Sequence, residues 1–284
     1  LNITEENVAA EGGWPIPRKR LGEINLDILA AGALGVGWVI SFPQPDRMGG
    51  DEYFASSLEL GPTILATFES PNGIYPKTTG TIIKGDDIGG ILTQGVVENV
   101  NTLQDTSLEG IATAPVDIDN LVRRIPLLLR TPDGWVSAFG TEVLKVLTGS
   151  RSYIITTNDN GVQEISVRGI PPVKTDSLGR KWISWVDTPQ TDLQEMDVAG
   201  KFVFIGVTAN GIMPHKIQAA LSESILIQDS PYIPDWSLAA EILLFLVSVS
   251  LIWVVLHAFG ITWGISIALA IMLSTAYAGY TLIH

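Results

Sequence analysis

AAEILLFLVSVSLIWVVLH (Ala239–His257) and ITWGISIALAIMLSTAYAGYTLI (Ile261–Ile283) decide how the rest of the chain is read. They are 19 and 23 residues long and, apart from Glu241, carry no formal charge. At about 1.5 Å per residue they reach roughly 28 and 34 Å, enough to cross a hydrocarbon core of about 30 Å. A core helix of a globular domain is usually about 10–14 residues long and keeps a polar side. Neither run has such a side, so two transmembrane helices are predicted, at about 239–257 and 261–283. Trp236, Trp253, Trp263, Tyr277 and Tyr280 lie towards their ends, where interfacial aromatics sit. Only Ala258, Phe259 and Gly260 join the runs, which calls for a tight antiparallel hairpin turning at Gly260.

That turn has no Lys or Arg, so charge bias does not assign it a side of the membrane. A hairpin returns the chain to the side it left, and an output domain opposite the polar region would need a third helix after His284. The chain opens on Leu1 and the polar stretch LNITEENV, without a signal peptide. An exported polar region needs such a signal, so residues upstream are expected.

Composition agrees with a division into residues 1–235 and 236–284. Of 284 residues, 46% are hydrophobic and 17% charged, against about 25% charged in a typical soluble domain. The net charge of −13 argues against nucleic acid, which needs a concentrated basic face, and against a polybasic membrane-surface protein. With no cysteine, disulfides, thiolate nucleophiles and Cys-ligated zinc are excluded, while the compartment stays open.

Within the polar region, Leu21, Ile24, Ile28 and Ala31 repeat at helical spacing between Pro17 and Gly32. ALGVGWVISF (Ala33–Phe42) is nearly all apolar and predicts a strand buried on both faces. Asp51 is placed to cap a second helix closed by Gly61, and Thr63–Phe68 is a further strand. Helix, strand, helix, strand at this spacing predicts a parallel crossover unit. Further on, Val122–Leu129 and Trp135–Ala138 are expected to pair around TPDG. A helix follows with Phe139, Val143, Val146 and Leu147 on one face, ending at Gly149. Tyr153–Thr157 and Val162–Val167 flank NDNG as a hairpin. KFVFIGV (Lys201–Val207) is the clearest central strand, followed by a helix over Lys216–Ile227. The fold class expected is α/β: a mixed, largely parallel sheet flanked by helices, then the transmembrane hairpin.

Chemistry is sparse. The glycines of GALGVG (Gly32, Gly35, Gly37) enter a strand instead of leaving one, the wrong order for a dinucleotide loop, and fit close strand packing. His215, His257 and His284 are the only histidines and form no metal-binding spacing. Asp46, Asp51 and Glu52 follow a strand, where a sheet often binds ligands, although helix capping explains them more simply. Asp86 and Asp87 (GDDIGG) fit a solvated turn. Arg123 and Arg124 are adjacent in an expected strand and would face opposite ways, one towards an internal carboxylate and the other towards an anion. Thr208, Asn210 and Gly211 follow the strongest strand, at the expected carboxyl edge of the sheet. No catalytic set emerges.

The order of several segments resembles the second class of CHASE domains, the cyclase/histidine-kinase-associated sensory extracellular domains. GGWPIPRKRL (Gly12–Leu21) is similar to that family's opening, and AAGALGVGWVISFPQPD (Ala30–Asp46) to its helix end, strand and Phe-x-x-Pro-Asp stretch. VRRIPLLL (Val122–Leu129), GKFVFIGVTANG (Gly200–Gly211), KIQAALSESIL (Lys216–Leu226) and the closing PDW (Pro234–Trp236) follow in the family's order. The departures are a first strand reduced to Leu1–Ile3 and a short connection after Met213, where the family has a longer loop.

The resemblance implies the extracytoplasmic sensory and membrane region of a bacterial receptor in the cytoplasmic membrane, with residues 1–235 on the periplasmic side. An adenylate or guanylate cyclase or a kinase would lie outside this chain, which itself is not expected to be an enzyme. The alternative is a membrane-anchored accessory subunit of a larger complex, drawing on the small residues of the second helix, such as Gly264, Ala268 and Gly279. A hydrolase using Asp46, Asp51 or His215 is a third reading. Expected partners are the lipid bilayer, a second copy or other membrane subunits, and a small ligand near Asp46, Arg124, Thr208 and Asn210. No nucleic acid, cofactor or metal is expected.

Overall fold

The computed structural model describes residues 1–185, 188–193, 196–208, 213–228 and 236–283. It divides into two compact units, Leu1–Ser230 and Pro231–His284.

The first unit opens with β1 (Asn2–Ile3) and α1 (Glu5–Ala10), whose start is closed by a Thr4–Asn7 capping box. Then come α2 (Arg18–Ala30), β2 (Gly35–Trp38), α3 (Asp51–Leu58) and β3 (Thr63–Ile74). β4 (Gly80–Lys84), β5 (Ile91–Leu92), β6 (Val96–Val97), α4 (Asn101–Gln104) and β7 (Leu108–Ile111) follow. β8 (Arg124–Pro126), β9 (Leu128–Thr131) and β10 (Gly134–Ser137) lead to α5 (Phe139–Thr148). β11 (Ser152–Asn158), β12 (Gly161–Val167), β13 (Val173–Lys174), β14 (Arg180–Trp182), β15 (Phe202–Val207) and α6 (Pro214–Ile227) complete it.

The principal sheet runs β1-β15-β2-β3-β7 with every neighbour parallel, and β6 pairs antiparallel with the far half of β3. The expected crossover unit is present: α3 connects β2 to β3, which run parallel. All four residues of β2 are buried, as a strand covered on both faces requires. α2 presents Leu21, Ile24 and Ile28 to a core shared with Trp38, Phe42 and Phe54. Asn25 is fully buried on the same face, yet satisfied. Its Nδ2 donates to Ser57 O at 2.9 Å, and its Oδ1 accepts from Trp38 Nε1 at 3.0 Å. One amide thereby fastens α2, α3 and β2 together. A Cβ on Gly37 would lie 2.9 Å from the rings of both Phe139 and Phe202, and one on Gly35 2.8 Å from Phe202, so these two glycines serve close packing, while Gly32 follows the end of α2 at φ 87°.

Among the described residues, the remaining strands form three smaller sheets instead of extending one: β10-β9-β5, β13-β12-β11-β4 and β14-β8. The expected single sheet therefore divides. The pairing around TPDG is confined to β9 and β10, because Arg124–Pro126 departs to pair with β14. The NDNG hairpin forms as expected, with Gly161 at φ 121°. On α5, Phe139 and Val143 are buried but Leu147 is exposed, and Leu144 takes its place in the core. The helix stops at Gly149 in the left-handed region, φ 63° and ψ 21°, a conformation glycine adopts without a Cβ clash. α3 ends at Leu58, before Gly61, and its cap position is Gly50; Asp51 is the first helical residue and makes no capping bond.

The second unit holds α7 (Ser237–Phe259) and α8 (Ile261–Ile283), joined at Gly260 with φ 86°. α7 is long and apolar enough to cross a membrane, and α8 is apolar over Ile261–Tyr277. The two helices pack together beside the turn, where a Cβ on Gly264 would lie 2.5 Å from the Leu256 side chain.

Candidate functional site

Asp46, Arg124 and Thr208 are not brought together: each is engaged by its own neighbours, and Asn210 lies outside the described residues. The Asp46 carboxylate accepts from the backbone N–H groups of Arg18, Met48 and Gly50 at 3.0, 3.1 and 3.2 Å. Burial opposes its ionisation, but these three donors and the Arg18 charge together hold its carboxyl below the usual range. Asp51 accepts from Asp46 N at 2.7 Å and pairs with Arg18 at 3.4 Å. Asp46 and Asp51 thus anchor the start of α2 to the loop entering α3.

Arg123 and Arg124 do not part to opposite faces. Arg123 precedes β8, and both guanidinium groups reach Asp117, at 3.3 and 2.8 Å. Arg123 also forks onto Asp119, holding that carboxyl at about 2. Arg124 lies 5.5 Å above the Trp182 ring. Thr208 follows β15, and its hydroxyl donates to Asn2 Oδ1. Asp87 bonds to Arg130 and Trp135, so its turn is tied down and not merely solvated.

Two cavities offer more. The first, about 230 Å³, lies beside the start of β15 and not at its carboxyl end; Phe202, Phe204, Trp185 and Ala219 supply apolar walls and His215 a polar one. His215 is only 4% exposed, and its Nδ1 has no hydrogen-bond partner. Burial, reinforced by the neighbouring Lys216 charge, brings its pKa from 6.5 down to about 4. The folded state therefore holds the neutral imidazole. This contribution is intact above pH 6.5 and disappears as pH falls towards 4, a loss of about 2–3 kcal/mol. Urea midpoints between pH 7 and 4.5 will decline more steeply for the native chain than for His215→Asn; parallel curves would refute the assignment.

The second cavity, about 260 Å³, is bounded by β7, by Thr67 of β3, by the end of β10, by α5 and by residues 76–79. Thr79 N donates to Trp135 O at 2.7 Å, fixing that last segment along β10. Its floor is a buried polar cluster. Glu142 is 2% exposed; one carboxylate oxygen accepts from Ser137 Oγ at 2.5 Å and Tyr153 Oη at 3.0 Å, and the other pairs with Lys145 at 2.7 Å. Lys145 also donates to Thr79 Oγ1 at 2.9 Å. Burial and the Glu142 charge push the Tyr153 hydroxyl well above 10, so it stays a donor. At the opposite wall Glu109 accepts from Asn99 Nδ2 at 2.7 Å; Asn99 is itself fixed by Ala66 O and Phe42 N.

One side chain of α6 bonds beside both walls. Gln218 of α6 is fully buried; its Oε1 accepts from Gly140 N in α5, and its Nε2 donates to Ala112 O just beyond β7, at 3.1 and 2.9 Å. Ser222, one turn on, donates to Gly140 O. Sequence reasoning missed this site. The available signal was Glu142, which helical spacing puts on the same stripe as Phe139, Val143 and Val146. Among the described residues, no three His, Asp or Glu side chains gather as a metal cage.

One family model, described as the CHASE2 domain, matches residues 1–273. No curated protein and no solved structure matches the chain.

Proposed function

The chain belongs to the CHASE2 domain family, and from that premise we propose that it is the extracytoplasmic sensory and membrane region of a bacterial transmembrane receptor. CHASE2 domains are extracellular sensory domains of signalling receptors, and α7 is long and apolar enough to be a membrane span. In this reading α7 and α8 both cross the cytoplasmic membrane, the first unit lies on the periplasmic side, and the receptor works as a homodimer. A cyclase or kinase in the cytoplasm supplies the output, and this chain supplies none of the catalysis. The family match across 273 residues carries the proposal. In the alternative reading the chain is a membrane-anchored accessory subunit; of the small residues of α8 that could meet a partner, Gly264 packs against Leu256 within its own helix pair.

The test uses membranes containing the full-length native protein, assayed for cyclic-nucleotide synthesis and autophosphorylation. Deleting residues 1–228 is expected to change the output severalfold. An unchanged rate, or a polypeptide with no output domain at all, overturns the receptor reading.

A further inference from the structure

We propose that the 260 Å³ cavity between β7 and α5 binds a small aliphatic amine, a primary ammonium on a short carbon chain. The inference rests on the sensory reading above and gives it a ligand class.

Size sets the first limit. At about 30 Å³ per water, the space equals roughly eight waters. That suits an amino alcohol or short diamine. Charge sets the second. The lining carries three carboxylates, Glu98, Glu109 and Glu142, against two ammonium groups, Lys77 and Lys145, a net of −1. Glu142 and Lys145 neutralise each other, and the Glu142 carboxylate already has three partners. The surplus therefore falls at the Glu109 wall.

Glu109 forms no ion pair among the described residues. Asn99 and the more distant Gln104 amide, at 3.5 Å, are its hydrogen-bond donors. An ionised carboxylate offers about four acceptor positions, so capacity remains for an incoming ammonium. Burial, with Glu98 adding to it, raises the Glu109 pKa, whereas Lys77 acts the other way. A second positive charge at this wall relieves that unfavourable burial and gains charge-assisted hydrogen bonds. Pro76, Leu108, Ile111 and Val136 add apolar lining for methylene groups. Thr78 and Ser107 add hydroxyls that a second polar group on the ligand can meet.

The cavity is a built site and not a patch of acidic surface: its floor is a hydrogen-bonded Glu–Lys–Tyr–Ser cluster around the buried Glu142, and Asn99, 3% exposed, orients the Glu109 carboxylate.

The experiment is calorimetric titration of the full chain in nanodiscs with ethanolamine and 1,4-diaminobutane. Ethylene glycol and 1,4-butanediol serve as neutral isosteres, and succinate as an anion. The amines are expected to bind and the isosteres and succinate not to. Glu109→Gln, which retains the Asn99 contact geometry, is expected to weaken amine binding about tenfold or more, with the thermal midpoint nearly unchanged. Absence of amine binding, equal binding by the neutral isosteres, or unaltered affinity in Glu109→Gln overturns the inference. Those results leave the receptor reading intact if deletion of residues 1–228 still alters output. Amine binding without any change in output has the opposite meaning: the site stands and the receptor reading fails.

Discussion

Gln218→Leu will destabilise the sensory domain by about 2–5 kcal/mol, because two buried backbone groups, Gly140 N–H and Ala112 C=O, each lose a partner worth about 1–3 kcal/mol. Leucine fills nearly the same volume, so lost packing adds little. Gln218→Glu retains an acceptor for Gly140 but sets a buried carboxylate against the Ala112 carbonyl, and at neutral pH should be at least as destabilising as Gln218→Leu. Urea unfolding of the three proteins checks the order; a Gln218→Leu loss below about 0.5 kcal/mol would show that the bridge carries no weight. A functional consequence follows from position. α6 ends at Ile227 and α7 starts at Ser237, so the side chain that bonds beside both cavity walls belongs to the last helix before the membrane segment. A ligand that changed the spacing of β7 and α5 would act on α6 through this amide. Transmission then requires different affinity for the two arrangements.

Glu142→Leu should be of similar severity, about 3–5 kcal/mol, since it leaves the Lys145 ammonium without its counterion at a site where the two side chains are 15% and 3% exposed. Ser137 and Tyr153 lose their acceptor in the same step. The double variant Glu142→Leu with Lys145→Met removes the stranded charge and should recover much of the loss, giving a large coupling energy in a double-mutant cycle. Additive losses would mean that the two groups act independently, contrary to their 2.7 Å separation.

What the residues disclosed in advance was mostly local. The helix over Arg18–Ala30, the buried strand at Gly35–Trp38 and the stop at Gly149 follow from spacing, continuous hydrophobicity and a glycine's access to positive φ. The division into four sheets was hidden because it depends on partners far away in sequence: β4 pairs with β11, and β8 with β14. Arg123 and Arg124 were misjudged for a related reason. Strand alternation fixes where Cβ points, but a long side chain starting just outside the strand can still turn to the carboxylate its neighbour uses. The cavity was missed because Glu109, Glu142 and Thr79 come from three separated stretches, and only Glu142 broke a visible pattern. Asp46 carried an accurate signal, a carboxylate beside a strand end, but its acceptors are occupied by backbone donors.

The central claim is that the first unit faces out of the cell while α7 holds it to the bilayer. Residues 1–284 contain no cysteine, so an introduced thiol is unique within them, and the unsubstituted full-length protein is the control for labelling elsewhere. Ile118 is fully exposed and suits the substitution Ile118→Cys. In spheroplasts carrying the full-length native protein, a membrane-impermeant maleimide is expected to label Ile118→Cys before lysis, and the labelled protein to stay with the membranes after a carbonate wash. Labelling only after lysis, or release of the protein into the wash, would contradict the account.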